Sequence, residues 1–433
     1  MHFTVGKPEP GTPDDRTRPG LYAWIVFALT CALMLSDYLS RQMVNAIFPF
    51  LKSDWALSDT ELASLVSVVS LSVGILTLPL SLLVDRWGRV KSATAMAIVW
   101  ALATIACGLS GNYSQLLAAR AVVGFGEAAY GSAGGAILMA AFPPRLRSTV
   151  MGAFISAGVF GSVAGVVLGG VLATHLGWRM TFLVIGAAGL ILAVTYPLVV
   201  RESKISKTKA NRVRLPLRQV FQGVFASSCT RFTLLASGLQ MFTQGALIAW
   251  LPSFLNRHNG LAPSQAAMLT GIIILIGGAG MVICGNVVDR CSLSNKRNKL
   301  RIPAAYALGS CLLLILGFSL PPGPLQLAVI AAGAFFAGGQ AGPSVAVITD
   351  LTPPAIHATA IATCTLANAL LGLAPGPFVT GLLADAFGLQ SALQLAPLVS
   401  VAVAAAFLAA ARHFDADYRR VHPVSSAPAC VGA

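Results

Sequence analysis

The chain has 433 residues, of which 56% are hydrophobic and 10% are charged, and its mean hydropathy is +0.77. Such a composition leaves too little polar surface to cover a soluble globule of this size, which excludes an ordinary soluble enzyme or binding domain. The net charge of +14 would suggest a nucleic-acid partner in a soluble protein, but here the basic residues occupy loops between apolar segments. We therefore expect an integral membrane protein with no nucleic-acid partner.

The first 20 residues are polar and rich in proline, so residues 1–20 are expected to be a disordered tail. The apolar run that starts at Leu21 is too long for the core of a signal peptide and is interpreted as a retained first helix. Twelve segments are long enough to cross a bilayer: about 21–48, 60–83, 92–110, 115–141, 148–174, 180–199, 229–254, 263–287, 302–320, 325–349, 356–384 and 390–411.

The lysines and arginines predict the orientation. Nearly all of the 29 fall in the tails and in alternate loops, and only Lys52, Arg179 and Arg257 are left for the opposite side. Both termini are therefore expected in the cytoplasm. Residues 200–228 form a basic cytoplasmic linker between two bundles, 21–199 and 229–411, and 412–433 form a second cytoplasmic tail. The linker is interpreted as a solvated loop, with binding of anionic lipid head groups or a regulator as the alternative.

The two halves of the chain repeat each other. Three short patterns recur at an offset of roughly 210 residues: 81–86 with 285–290, 142–144 with 352–354, and 170–173 with 381–384. One pair alone might arise by chance, whereas three at a nearly constant offset indicate a duplicated six-helix unit with a site between the copies.

Four charges lie inside apolar segments: Asp37 and Arg41 in the first, and Arg120 and Glu127 in the fourth. Charges at bilayer depth are expensive, so they are expected to face protein or a water-filled cavity. By depth along the helices, the arginines form an outer tier suited to gripping a carboxylate or phosphate, and the acids form an inner tier suited to proton coupling. The alternative is a set of structural ion pairs.

Further polar and aromatic residues are expected to line the same cavity. Asn45 shares a stripe with Asp37 and Arg41. The positions equivalent to Arg120 and Glu127 in the second half are apolar, so the site is expected to be asymmetric. The remaining candidates for substrate binding are Tyr38, Tyr130, Gln240, Gln244, Gln340 and Asn368. The alternative for the amides is helix-to-helix hydrogen bonding, and for the aromatic rings it is packing.

Residues 81–91, SLLVDRWGRVK, resemble the loop between the second and third helices of the major facilitator superfamily. This resemblance implies an all-α fold of twelve transmembrane helices in two pseudo-symmetric bundles, which alternately open to either side. It also implies gating by Asp85, Arg86, Gly88 and Arg89, and by the equivalent Asp289 and Arg290. The alternative is a simple basic turn at the cytoplasmic face.

A narrower resemblance points to the bacterial spinster-like branch, with the anion:cation symporter branch as the next best. It is carried by residues 37–42, 57–59, 126–128, 142–144 and 177–179, by Arg120, and by Asn368 with 376–377, Gly381 and Asp385. Asp37 stands where these branches usually have asparagine, and Ser40 stands where they have aspartate. The first branch implies lysolipid-like amphiphiles as substrates, and the second implies sugar acids or other carboxylates.

The fifth segment also has glycines at positions 161, 165, 169 and 170, a spacing associated with antiporters; the alternative is close helix packing.

The sequence gives little support for an enzyme. All six histidines fall in tails or loops, and there is no nucleophile–base pair, metal-ligand spacing or phosphate-binding loop. We expect a monomeric, proton-coupled secondary transporter in a bacterial inner membrane, surrounded by lipid, without cofactor or metal, and with sodium not excluded as the driving ion. The expected substrate is a small organic anion or anionic amphiphile. The alternatives are a sugar-acid or carboxylate symporter, a drug or metabolite efflux antiporter, and a non-transporting sensor.

Overall fold

The computed structural model describes residues 20–202, 223, 225–353 and 356–421, and every regular element within these ranges is helical. We number the helices after the membrane spans that they form and give the letters a and b to the parts of an interrupted span. They are α1 (Leu21–Trp55), α2 (Asp59–Trp87), α3 (Arg89–Leu109), α4a (Tyr113–Glu127), α4b (Tyr130–Ala141), α5 (Pro144–Leu176), α6 (Trp178–Val199), α7 (Ser228–Asn259), α8 (Pro263–Ser292), α9 (Asn298–Ser319), α10a (Pro324–Gly338), α10b (Ala341–Asp350), α11a (His357–Asn368), α11b (Pro375–Phe387), α12a (Leu389–Leu395) and α12b (Val399–Val421).

The twelve predicted spans are confirmed. Eleven described segments are long and apolar enough to cross a membrane, and the fourth span consists of two shorter helices. The last helix continues to Val421, so the predicted tail 412–433 begins as helix. The predicted tail 1–20 and the predicted linker 200–228 lie largely outside the described residues.

The helix ends follow from local sequence. Ser58 and Glu61 form a reciprocal capping box at the start of α2, where the Ser58 N–H donates to the Glu61 carboxylate at 2.9 Å and the Glu61 N–H donates to Ser58 Oγ at 3.2 Å. Gly177 ends α5 with a φ of +80°, and Gly388 ends α11b with a φ of +83°. This conformation favours glycine, and its recurrence at equivalent positions supports the duplication inferred from sequence.

Small residues let α5 cross α1 at very short distance. A Cβ atom at Gly161 would lie 2.6 Å from the carbonyl oxygen of Leu35, and one at Gly165 would lie 2.6 Å from that of Leu39. Within a bilayer, such close backbone approach is a main source of helix association. These contacts account for the spacing of the glycine series on the fifth span by packing.

Two spans predicted as continuous, 115–141 and 325–349, are interrupted. The fourth breaks at Ala128 and Ala129, and the tenth at Gly339 and Gln340, which are equivalent positions in the two halves. Pro343 accounts for the break in the tenth span, because proline has no N–H to donate to the carbonyl four residues earlier. The fourth span contains no proline near its break, so neither proline nor hydropathy identifies that interruption.

The two bundles meet tightly at the end where α1 finishes and α2 begins, which is the predicted outer end. The Asp59 carboxylate accepts hydrogen bonds from Arg257 of α7, and Asp385 of α11b accepts from the backbone N–H groups of Asp59 and Thr60. Below them, the Phe48 and Trp250 rings pack across the interface with centroids 5.3 Å apart.

Toward the opposite end, Gly131 of α4b and Gly342 of α10b border open space, since a Cβ at either would meet nothing within 4 Å. This state is closed at the predicted outer end.

Candidate functional site

The four membrane-embedded charges come together between α1 and α4a. Asp37 and Glu127 are each 6% exposed, Arg120 is fully buried, and Arg41 is partly buried. All four lie within electrostatic range of their neighbours in the cluster. The expectation that these charges face protein rather than lipid is met by their burial. The fourth span is interrupted at this point. Helix α4a, which carries Arg120, ends at Glu127, and α4b begins at Tyr130.

Arg120 is engaged by the protein backbone. Its guanidinium donates to the carbonyl oxygens of Leu65 at 3.0 Å, Ser40 at 3.4 Å and Arg41 at 3.2 Å. These acceptors belong to α1 and α2, so the side chain ties three spans of the N-terminal bundle together. Three of its five N–H donors are thus bonded to backbone carbonyls and the side chain is fully buried, where an anion grip was expected.

Arg41 is the more available cation. One of its terminal nitrogens donates to the Ser70 hydroxyl of α2 at 2.9 Å, and its side chain is only partly buried. A guanidinium has five N–H donors in a planar fork, so the contact with one hydroxyl leaves capacity for an anion.

The Asp37 and Glu127 carboxyl groups are neighbours. The two groups lie close enough to interact electrostatically. Neither oxygen of Glu127, nor Oδ1 of Asp37, receives a hydrogen bond from a donor in the described residues. Buried acceptors without donors are costly, and two adjacent negative charges repel each other. A proton held between the two carboxyl groups would reduce both penalties.

The other N-terminal candidates are distributed unevenly. Asn45 is fully buried and donates to Gln42 Oε1 at 2.8 Å, while its own Oδ1 has no donor among the described residues. The Tyr38 ring lies against Gly158 of α5. Tyr130 lies in the core of the bundle, where its hydroxyl donates to the Thr30 carbonyl at 2.7 Å, so its position is that of a packing residue.

The C-terminal candidates divide into helix contacts and free amides. The Gln240 amide donates to the Ala337 carbonyl at 3.1 Å, and Asn368 Oδ1 accepts from Ser237 at 2.8 Å, so both connect helices. Gln340, at the break in the tenth span, is 1% exposed, and neither of its amide atoms has a partner among the described residues. Gln244 is half-buried and lines a cavity between α7, α8 and α10a.

The predicted inner gate is described only in part. Gly88 joins α2 to α3 with a φ of +101°, and the backbone N–H groups of Arg89 and Val90 donate to the Glu202 carboxylate at 3.0 and 2.9 Å. Sequence reasoning missed Glu202. Its carboxylate lies at the N-terminus of α3, the positive end of the helix dipole, although Glu202 follows Arg89 by 113 residues in the chain. The side chains of Asp85 and Arg86 lie outside the described part, and the equivalent Asp289 and Arg290 are exposed.

Sequence reasoning also missed the cluster at the outer end. Asp59, 5% exposed, binds Lys52 at 2.6 Å and Arg257 at 2.8 Å. Two signals were present: Asp59 follows a capping serine, and Lys52 and Arg257 are two of the three basic residues left on the outer side. Neither signal identifies the partner across the bundle interface, because that pairing depends on tertiary structure.

Known proteins share this architecture. The family model described as Major Facilitator Superfamily matches residues 30–332, which is more than half of the chain. An MFS-type efflux pump of Mycolicibacterium smegmatis is 27% identical over 410 residues, covering 90% of this chain and 93% of the pump. A gallate transporter of Pseudomonas putida is 29% identical over 362 residues, covering 74% of this chain and 76% of that protein.

Among solved structures, a bacterial homologue of the human lysosomal transporter Spinster, in an inward-facing and unoccupied conformation, superposes with a TM-score of 0.83. It is 20% identical and covers 92% of this chain and 98% of its own. The chain therefore belongs to the Major Facilitator Superfamily, as a multi-pass membrane transporter rather than an enzyme.

Proposed function

We propose that the protein is a proton-coupled transporter of an organic anion. The observation that carries this proposal is the buried carboxyl pair of Asp37 and Glu127 beside the partly accessible guanidinium of Arg41. An acid pair that lacks donors binds a proton, and an arginine with free donors binds a carboxylate or phosphate. Proton binding and anion binding influence each other, because an anion at Arg41 neutralises the positive charge that stabilises the ionised acids.

The direction of this coupling follows from electrostatics. Without a bound anion, the positive charge of Arg41 attracts the negative charges of the ionised carboxyl pair. When an anion neutralises Arg41, the pair gains more from holding a proton. Anion and proton are therefore bound together and released together, which is the requirement for symport along a proton gradient.

Arg120 has a supporting role in this proposal. Its bonds to the carbonyls of Ser40 and Arg41 fix the part of α1 that carries the guanidinium of Arg41. The similarity to a gallate transporter supports an aromatic or other carboxylate as the substrate. The similarity to an efflux pump favours a second candidate function, the export of such a compound.

Counterflow in proteoliposomes tests transport itself. Vesicles loaded with an unlabelled organic acid should take up the labelled acid transiently above the level of protein-free vesicles, and replacing Arg41 by Gln should abolish this uptake. An Asp54→Asn variant, altered at a half-exposed acid at the outer end of α1, serves as a control that should keep wild-type uptake. Binding of the acid without counterflow would indicate a sensor and would contradict the proposal.

A further inference from the structure

The guanidinium of Arg41 is held by a neutral partner although acidic side chains are near. Arg41 follows Asp37 by four residues, a spacing at which an aspartate and an arginine on one helix commonly form an ion pair. In the structure, Nη2 of Arg41 instead donates to the Ser70 hydroxyl of α2 at 2.9 Å. Among the described residues, no ion pair involves Arg41. The position of this guanidinium therefore depends on α2 as well as on the helix that carries it.

Ser70 is well placed to fix the guanidinium. Its side chain is buried, so water competes little for the hydroxyl oxygen, and hydrogen bonds with one charged partner are stronger than bonds between neutral groups. Ser67 lies one turn earlier on the same helix and is also buried, but its hydroxyl has no partner in the described part of the chain. Of these two hydroxyls, that of Ser70 holds the arginine.

The surroundings of Arg41 show where its side chain would turn without Ser70. The charged and titratable groups that interact electrostatically with Arg41 are Asp37 and Tyr38 of α1 and Arg120 and Glu127 of α4a. The other helices that pack on α1 carry their charged side chains only near their ends. Asp37 Oδ1 and both Glu127 oxygens accept no hydrogen bond from the described residues. The two acids are therefore the anionic partners that a released guanidinium would take.

We propose that Ser70 is a positioning residue, which holds the Arg41 guanidinium away from the carboxyl pair of Asp37 and Glu127. This inference rests on the proposed function, since it assigns anion binding to Arg41 and proton binding to the pair. With one nitrogen on Ser70, the other N–H donors of Arg41 stay open to an anion. Without Ser70, a direct ion pair would occupy those donors and would stabilise the ionised acids against protonation.

Infrared titration of the purified full-length protein tests this role without a substrate. A protonated carboxyl group absorbs at a C=O frequency separate from that of a carboxylate, and the part of this band that disappears in Glu127→Gln belongs to the pair. In Ser70→Ala, the midpoint of this band should move by about one pH unit or more toward acidic pH, because direct contact with an arginine favours the ionised carboxyl. Ser67→Ala, the matched control on the same helix, should titrate like the wild type.

The Arg41→Gln background shows whether Ser70 acts through the arginine. In that background, Ser70→Ala should not move the midpoint further. A shift of equal size with and without Arg41, or an unshifted midpoint in Ser70→Ala, would overturn the role of Ser70 and leave the titrating pair of the proposed function intact. A carboxyl band that does not titrate, or that is unaffected by Glu127→Gln, would overturn the proposed function as well.

A second variant covers the case in which Ser70→Ala does not fold. Ser70→Cys keeps a side chain of similar shape, but its thiol is a weaker hydrogen-bond acceptor than the hydroxyl. We expect its midpoint to move in the same direction by a smaller amount, and a wild-type midpoint in this variant would overturn the assignment.

Discussion

Asp59 at the start of α2 accepts two hydrogen bonds from Arg257 at the end of α7, at 2.8 and 2.9 Å, and thereby joins the two bundles at the predicted outer end. The Asp59 side chain is 5% exposed and the Arg257 side chain 27%, so water screens the pair only in part. Lys52 adds a second cation to the same carboxylate. For substrate to enter or leave on this side, the contact between Asp59 and Arg257 has to break.

Replacing Arg257 by Gln should favour opening of the outer end. Loss of one member of a largely buried ion pair costs a few kcal/mol, and Lys52 compensates in part, so we expect a shift of about 1–3 kcal/mol toward the outward-open state. Spin labels at the exposed Ser53 and Gln265, in a variant without reactive native cysteines, report the distance between the bundles by double electron–electron resonance. The distribution should gain a longer component.

Arg179 provides the matched control for this measurement. It is also an outer arginine, but its carboxylate partner, Asp54, belongs to the same bundle and lies 3.8 Å away. Arg179→Gln should leave the distribution unchanged. If both variants shift the distance distribution equally, the cause is the loss of surface charge and not the loss of the contact between the bundles.

Arg120 and Arg41 should respond differently to replacement by Lys. An ammonium cannot bond three carbonyls in the arrangement that the Arg120 guanidinium makes, so Arg120→Lys should lower the unfolding free energy by about 2–4 kcal/mol, seen as a lower Tm. Arg41→Lys should keep a near-normal Tm but weaken anion binding about tenfold. The reverse pattern, in which the Arg120 variant is stable but binds anions poorly, would show that Arg120 is the residue that binds the anion.

Packing of α5 on α1 should depend on Gly161. An alanine Cβ there would lie 2.6 Å from the Leu35 carbonyl, so Gly161→Ala should reduce the unfolding free energy by about 1–3 kcal/mol. Gly152→Ala, on the same helix but with nothing within 4 Å of its Cβ, should be neutral or slightly stabilising. Thermal unfolding in detergent checks both. A stable Gly161→Ala protein with an altered ratio of protons to anions would favour a coupling role for the glycine series.

The fold was largely predictable from the sequence because its main determinant, apolar segments separated by basic loops, is local. The equivalent turns at Gly177 and Gly388 share one backbone conformation, which agrees with the repeated sequence around them. The break in the fourth span was not predictable, because Ala128 and Ala129 read as ordinary helix. The Thr77 hydroxyl of α2 lies 2.8 Å from the Ala128 carbonyl at the break, a contact that only the tertiary structure provides.

The site was predictable in its residue types and less so in their roles. Intramembrane charge and helix depth placed Asp37 and Glu127 in one inner tier, since burying a charge demands a partner or a proton. The same argument treats Arg41 and Arg120 alike, because helix depth does not tell whether a guanidinium faces a cavity or a neighbouring backbone. Their separation into an accessible and a structural arginine depends on how α4a packs against α1 and α2.

Uptake driven by an imposed pH gradient tests the role of the carboxyl pair most directly. Proteoliposomes with an alkaline interior and an acidic exterior should accumulate a labelled organic anion above its equilibrium level, after subtraction of uptake by protein-free vesicles. In the Glu127→Gln protein this accumulation should disappear while counterflow exchange at equal pH continues. Accumulation that is unchanged in Glu127→Gln, or wild-type uptake that does not respond to the gradient, would contradict the account.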